Sequence, residues 1–187
     1  MLAETGHVNK MARHGDALTI SGTQDAPMQT RFVDQLTIRP LRPGDTHTVA
    51  ALFERLGAQS RERRFCGAKP RLTEMELTRL ARVDDTHHVL VGYLAGDPRP
   101  VGIARLVRDG TTAEIAFEVA DAYQGRGVGS TLAGELAADA RAAGITTLLA
   151  TVCGDDPRVV SLLTRVAESL HVRFRGGERE IVVGLGR

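Results

Sequence analysis

Ala113-Glu114-Ile115-Ala116-Phe117-Glu118-Val119-Ala120-Asp121-Ala122-Tyr123-Gln124-Gly125-Arg126-Gly127-Val128-Gly129 decides how this chain is read. Its first eight residues alternate. Ile115, Phe117 and Val119 share one face of an extended strand, and Glu114, Ala116 and Glu118 share the other. The strand runs into a glycine-rich turn, Gly125 to Gly129, and the turn opens a long helix that Gly144 ends. Glycines let consecutive backbone N–H groups converge, and a helix N-terminus adds roughly half a positive charge. Such a turn is an anion site suited to a pyrophosphate, with Arg126 as an added cation. A dinucleotide fingerprint requires G-x-G-x-x-G in an opening βαβ unit, whereas here the spacing is G-x-G-x-G deep in the chain. A P-loop requires Gly-Lys-Ser/Thr, and Gly129-Ser130 follows Val128 with no lysine. Both fit badly. The plain alternative is a tight strand–helix turn with no ligand.

Working outward, Leu36 to Leu41 alternates as a first strand, and Asp45 caps a helix bearing Val49, Leu52, Phe53 and Leu56. Ser60 is expected to cap a short basic helix through Arg61, Arg63 and Arg64 to Phe65. Thr73 to Glu76 resembles a capping box that opens a helix to about Arg82. The period then becomes two. Strands are expected over His88 to Ala95 and Val101 to Val107, and the Asp109-Gly110 turn makes a hairpin with Ala113–Ala120. Past the long helix, Thr146 to Val152 reads as a buried strand. Asp156 and Pro157 open a helix to about Leu170, and Val172–Arg175 and Glu180–Leu185 complete the sheet. The expected order is β-α-α-α-β-β-β-α-β-α-β-β. Residues 1–34 read as a polar N-terminal tail in which only Ala17 to Ile20 could pair as a strand, and residues 35–187 read as one domain.

Composition narrows the function. Of 187 residues, Lys+Arg total 24 and Asp+Glu 23, for a formal net charge of +1, so general attraction to nucleic-acid phosphates is not expected. Trp is absent and aromatics are 4%, too few for base-stacking platforms. No apolar run reaches the ~18 residues of a membrane span, and no signal peptide is recognisable. A cytoplasmic location is the expectation. Cys66 and Cys153, the only two cysteines, are read as reduced thiols, Cys153 being a small apolar residue near the cleft. His87 and His88 fall on opposite faces of a strand with no third ligand beside them, so no metal is expected.

The spacing Q-x-x-G-x-G from Gln124 to Gly129, after Phe117-Glu118-Val119, resembles the acyl-CoA pyrophosphate loop of the GNAT acetyltransferase superfamily. The resemblance covers Thr37 to Leu185. It implies an α/β fold: a single acyl-CoA N-acyltransferase domain whose mixed, mostly antiparallel seven-stranded sheet is flanked by helices and split near its middle. A narrower likeness, to the acetyltransferase domain of bacterial Pat-type protein-lysine acetyltransferases, lies in Ser60 to Phe65, Arg79 to Asp84 and Val101 to Arg105. Such domains are often joined to a cyclic-nucleotide-binding or acyl-CoA-synthetase-like domain, for which this chain leaves no room.

By that resemblance acetyl-CoA is the co-substrate, bound by Phe117, Val119, Gln124, Gly125, Arg126, Gly127, Val128, Gly129 and Ser130. The acceptor is an amine, a protein lysine in preference to a small amine. The expected partners are therefore acetyl-CoA, that acceptor and a second copy of the chain as a homodimer, with no nucleic acid and no membrane. Val119 sits where the family's strand splays and its backbone meets pantetheine and the thioester, with Thr151 and Val152 on the other lip. Only a neutral amine attacks a thioester. With a pKa near 10.4, about four parts in ten thousand of a lysine is neutral at pH 7, a shortfall of roughly 4–5 kcal/mol. A base is needed. Glu114 matches the family's strand glutamate and is the expected catalytic base, with Glu118 the less favoured candidate. Both are expected in a water-filled cleft, since a carboxylate buried unpaired is costly. Leu163 stands where many members carry a tyrosine general acid, so no acid is assigned and a non-catalytic acyl-CoA sensor remains an alternative. Arg61, Arg63 and Arg64 are expected to dock an acidic protein surface.

Overall fold

Strand pairing organises the chain around one sheet. The computed structural model describes residues 35–154, 156–175 and 178–186. The tail, with its candidate strand at Ala17 to Ile20, lies outside the described residues. The elements are β1 (Leu36–Pro40), α1 (Thr46–Phe53), α2 (Ala58–Phe65), α3 (Glu74–Leu80), β2 (His87–Leu94), β3 (Pro100–Asp109), β4 (Thr112–Val119), a 3₁₀ turn (Asp121–Tyr123), α4 (Val128–Ala142), β5 (Thr147–Val152), α5 (Pro157–Thr164), β6 (Ser169–Arg175) and β7 (Glu178–Gly184). That is the expected order, joined into a seven-stranded sheet, β1-β2-β3-β4-β5-β7-β6.

Local chemistry sets most boundaries. The Asp45 carboxylate accepts the Thr48 amide at 3.0 Å and caps α1. Thr73 and Glu76 form the expected reciprocal capping box of α3. At the hairpin, Gly110 takes the positive φ (60°) of a two-residue turn between Asp109 and Thr112.

Two helix boundaries differ from expectation. α2 begins at Ala58 with Gly57 as its N-cap, so Ser60 lies inside the helix. α5 stops at Thr164 rather than near Leu170. Beyond it the Glu168 amide donates to the Gly184 carbonyl at 2.8 Å, and Ser169 to Arg175 pair with β7. The ladder there outcompetes helix propensity.

Helices cover both faces. α4 and α5 pack Leu132, Leu136 and Leu163 on Leu148, Ile181 and Val183. α4 approaches β3 so closely that a Cβ at Gly102 would lie 2.8 Å from Leu132. On the opposite face α1 and α3 set Val49, Leu52 and Leu80 against Val89, Val91 and Ile103. Truncating a side chain such as Leu132, wholly buried, would cost about 2–5 kcal/mol.

β4–β5 is the sheet's one parallel pair, and it is short. It joins Thr112 to Thr147, Ala113 to Leu148 and Glu114 to Leu149, then stops. β4 runs on to Val119, paired only with β3, while β5 runs on to Val152, paired only with β7. The two strands diverge. A wedge opens in the middle of the sheet, narrow at Glu114 and Leu149.

Candidate functional site

The wedge exposes the backbone edge of β4. The Ala120 amide donates to the Val101 carbonyl of β3 at 2.9 Å. Alternation along an extended strand then turns the amides of Val119 and Phe117 to the other edge, toward β5. Both side chains are half-buried against the core under α4.

The glycine turn lies at the open end of this wedge. Gly125 (φ 72°) and Gly127 (φ 91°) both take left-handed backbone that a side chain would strain. Gly127 is the N-cap of α4 and no side chain caps it. The Thr131 amide closes the first turn onto the Gly127 carbonyl at 3.0 Å, so those of Val128, Gly129 and Ser130 precede the intrahelical ladder. A Cβ at Gly129 would lie 3.6 Å from Leu162 of α5 and 3.7 Å from Val119, which shows how tightly loop, helix and wedge edge converge. Val128 is buried and anchors the turn from beneath. The Arg126 guanidinium stands 5.8 Å from the centre of the Tyr123 ring.

Gln124 acts as a staple in this arrangement. Its Nε2 donates to the Val119 carbonyl, the Ser60 hydroxyl and the Asp121 carboxylate, each at 3.1 Å, and its Oε1 accepts from Arg158 at 3.2 Å. The side chain joins the end of β4, the 3₁₀ turn, α2 and α5. The sequence singles out Gln124, but Asp121 and Arg158 carry no local signal of their own, and that of Ser60 points to a helix cap instead.

The two strand carboxylates do not share an environment, which corrects the expectation of a common cleft. Glu114 is exposed, opposite Val107 on β3 and Leu149 on β5, at the narrow end of the wedge. Glu118 is 7% exposed. It accepts from Arg64 Nε at 2.7 Å and from Arg105 Nη1. Burial would push its carboxyl up, but the flanking Arg105 and Arg64 guanidiniums outweigh that and hold it below the usual glutamate range. A carboxylate so paired is a poor proton acceptor.

The three arginines of α2 are likewise employed inside the protein rather than offered to an acidic partner. Arg61 donates to the Phe53 and Pro70 carbonyls and lies over the Phe53 ring at 4.2 Å. Arg63 reaches Asp156 at 3.2 Å, and Arg64 holds Glu118. α2 has no fully buried residue, so its guanidiniums join Phe65, which packs edge-on against Phe53, in fastening the helix.

Cys66 and Cys153 are joined in a disulfide, with Cα atoms 5.4 Å apart, which corrects the reading of two separate thiols. Spacing in sequence gave no hint, because pairing depends on where α2 lies. Leu163, on α5, is fully buried in the core cluster. His87 bonds Asp84 and His88 bonds Asp139. Among the described residues no group of three or more His, Cys, Asp or Glu side chains is placed to hold a metal ion, and no helix is long and apolar enough to cross a membrane.

A central sheet split beside a glycine turn at a helix N-terminus defines an acyl-CoA-type transferase fold. The profile of the Acetyltransferase (GNAT) family matches residues 49–167. The chain belongs to that family, and is built as a single GNAT domain with a seven-stranded, mostly antiparallel sheet. Members of the family use acetyl-CoA as co-substrate. The chain is 33% identical over 144 residues to Acetyltransferase Pat of Mycolicibacterium smegmatis, an alignment covering 75% of this chain and 43% of that protein. Its fold resembles the crystal structure of the GNAT domain of S. lividans PAT, with a TM-score of 0.70 and 26% identity, over 79% of this chain and 89% of that one. A cAMP-binding acyltransferase from Mycobacterium smegmatis aligns with a TM-score of 0.55 and 29% identity, over 81% of this chain and 44% of that one. The chain thus spans less than half the length of the two mycobacterial relatives.

Proposed function

We propose that this domain transfers acetyl from acetyl-CoA to the side-chain amine of a protein lysine, in the cytoplasm, with Glu114 as general base. The observation that carries the reading is the wedge itself. β4 leaves β5 immediately after Glu114 and Leu149, and its free edge leads to an uncapped glycine turn. The diphosphate of CoA is assigned to the amides from Gly125 to Ser130, where the α4 terminus contributes about 0.3–1 kcal/mol, and to Arg126. Pantetheine then lies along Phe117 and Val119, and the Val119 amide polarises the thioester carbonyl. Gln124 serves that edge by holding the Val119 carbonyl and the turn together.

Glu114 suits the role of base because it is exposed at the foot of the wedge. It takes a proton from the incoming ammonium, the neutral amine attacks the carbonyl carbon, and the C–S bond breaks with its electron pair on sulfur, while the second proton lost by nitrogen passes through solvent to the departing CoA thiolate. Glu118 is unsuited, since protonating it would strip two arginines of their counter-ion. Likeness to the Pat proteins supports a protein acceptor over a small amine. Incubating the protein with labelled acetyl-CoA, a lysine-bearing protein panel and a small-amine panel tests this. Label is expected on protein lysines, and label confined to polyamines or other small amines would displace the reading.

A further inference from the structure

α2 spans the wedge and is fastened differently on its two sides. On the β4 side the fastening is a buried carboxylate and two hydrogen bonds: Arg64 grips Glu118, Ser60 accepts from Gln124, and the Gly57 amide donates to Asp121 at 3.1 Å. On the β5 side two ties are found among the described residues. One is the Arg63–Asp156 pair at 3.2 Å, with the arginine side chain 31% exposed. The other is the Cys66–Cys153 disulfide, which links the C-cap of α2 to the residue just past β5. A partly exposed ion pair constrains little. The disulfide therefore holds the β5 lip to α2 almost alone, and it is the one tie that chemistry can undo.

The geometry points to Cys66–Cys153 as a thiol–disulfide switch that latches α2 across the wedge and is released by a dithiol reductant. Cys66 is exposed and Cys153 half-buried, so an incoming thiolate reaches the Cys66 sulfur first. Its attack forms a mixed disulfide at Cys66, and the electron pair of the broken S–S bond leaves on Cys153, which takes up a proton. The second thiol of the reductant then attacks the mixed disulfide and releases Cys66, likewise protonated. The protein gains two electrons and two protons, and the reductant departs as a cyclic disulfide. In the cytoplasm proposed above, a bond of this kind is expected to be transient and redox-sensing rather than a permanent staple. Cys66 is also the one non-glycine residue with positive φ (55°) among the described residues, in the C-cap conformation usually left to glycine. Once released, α2 remains anchored to β4, and the wedge can open at the β5 side.

That opening governs CoA rests on the proposed function. The latch itself does not, so the experiment reads both. Protein equilibrated with oxidised or reduced dithiothreitol is alkylated for thiol counting and examined by amide hydrogen exchange, alongside Cys153→Ser. The oxidised protein is expected to resist alkylation. Reduction should expose two thiols and speed exchange at least tenfold in residues 58–65 and 147–153, leaving β2 and β3 unchanged. Cys153→Ser, with its single thiol free, should match the exchange of the reduced protein in either buffer. CoA dissociation, followed by stopped flow, should quicken at least threefold on reduction. Two thiols that alkylate after oxidation, equal exchange in both states, or loss of protection throughout β2 and β3 would each overturn the switch. Should the exchange pattern hold while CoA binds in neither state, the latch stands and the assignment of the wedge to CoA fails.

Discussion

β4 has two halves with different neighbours, and its two glutamates report the difference. Through Glu114 the strand is paired on both edges, by Val107 of β3 and Leu149 of β5. From Ile115 to Val119 it keeps β3 alone, and its other edge faces the wedge. Glu118 lies four residues further along on the same face, yet it is buried beneath α2 with two arginines, while Glu114 meets solvent. The face is dictated by alternation, but the fate of each carboxylate is dictated by which helix lies over it. One glutamate holds the structure together, and the other is left chemically available.

Glu118→Gln should break the structural half most severely. It removes the charge shared by the buried Arg105 guanidinium and the partly buried Arg64, which costs about 3–5 kcal/mol, or a fall in Tm of about 10 °C for a domain this size. The sign with pH follows from the depressed carboxyl. Stability from this group is fully present above the ordinary glutamate value near 4.3 and is lost as pH falls below it, through the lower folded value. The difference between wild type and Glu118→Gln, measured by thermal unfolding, should therefore hold from pH 7 to 5 and shrink below about pH 4. A constant difference down to pH 3 would mean that the ion pairs are not its source.

Gly127→Asp tests the other side of the comparison, the open edge and its turn. Position 127 has φ 91°, and aspartate would put a Cβ and a carboxylate where diphosphate oxygens are assigned. Affinity for CoA should fall at least tenfold in a folded protein, and calorimetry showing unchanged affinity would move the diphosphate elsewhere. The smallest effect is expected at Arg63→Ala. Its pair with Asp156 is partly exposed, so the loss should stay below about 1 kcal/mol and Tm should move by less than about 4 °C. A drop as large as that of Glu118→Gln would show that the β5 side of α2 is held by charge rather than by the disulfide.

Much of this was legible from residues alone. Period-two runs, the Asp109-Gly110 turn and the Thr73–Glu76 box locate strands and caps because those signals are local. The glycine turn is legible for the same reason: Gly125 and Gly127 need conformations that few residues adopt. What depends on tertiary placement was not legible. Ser60 looks like a cap and is instead the acceptor for Gln124, because Gly57 begins the helix. Arg61, Arg63 and Arg64 look like a docking face for an acidic protein until Phe53, Asp156 and Glu118 are seen beneath them. The end of α5 was overestimated because the β7 ladder that claims Ser169 onward is non-local. The Cys66–Cys153 bond joins segments that only the packing of α2 brings together.

The division of labour along β4 is tested most directly by the single-turnover rate of acetyl transfer at pH 7 in Glu114→Gln. Glutamine preserves size and most hydrogen bonding but cannot accept the proton. With acetyl-CoA saturating and a lysine acceptor, the rate should fall by roughly 10²–10⁴, about 3–5 kcal/mol of barrier, with CoA affinity and Tm close to wild type. Folded Glu118→Gln should lose less than about tenfold. A Glu114→Gln enzyme that keeps more than about half the wild-type rate, with chemistry limiting, would contradict the assignment, since even weak general-base catalysis contributes more than that.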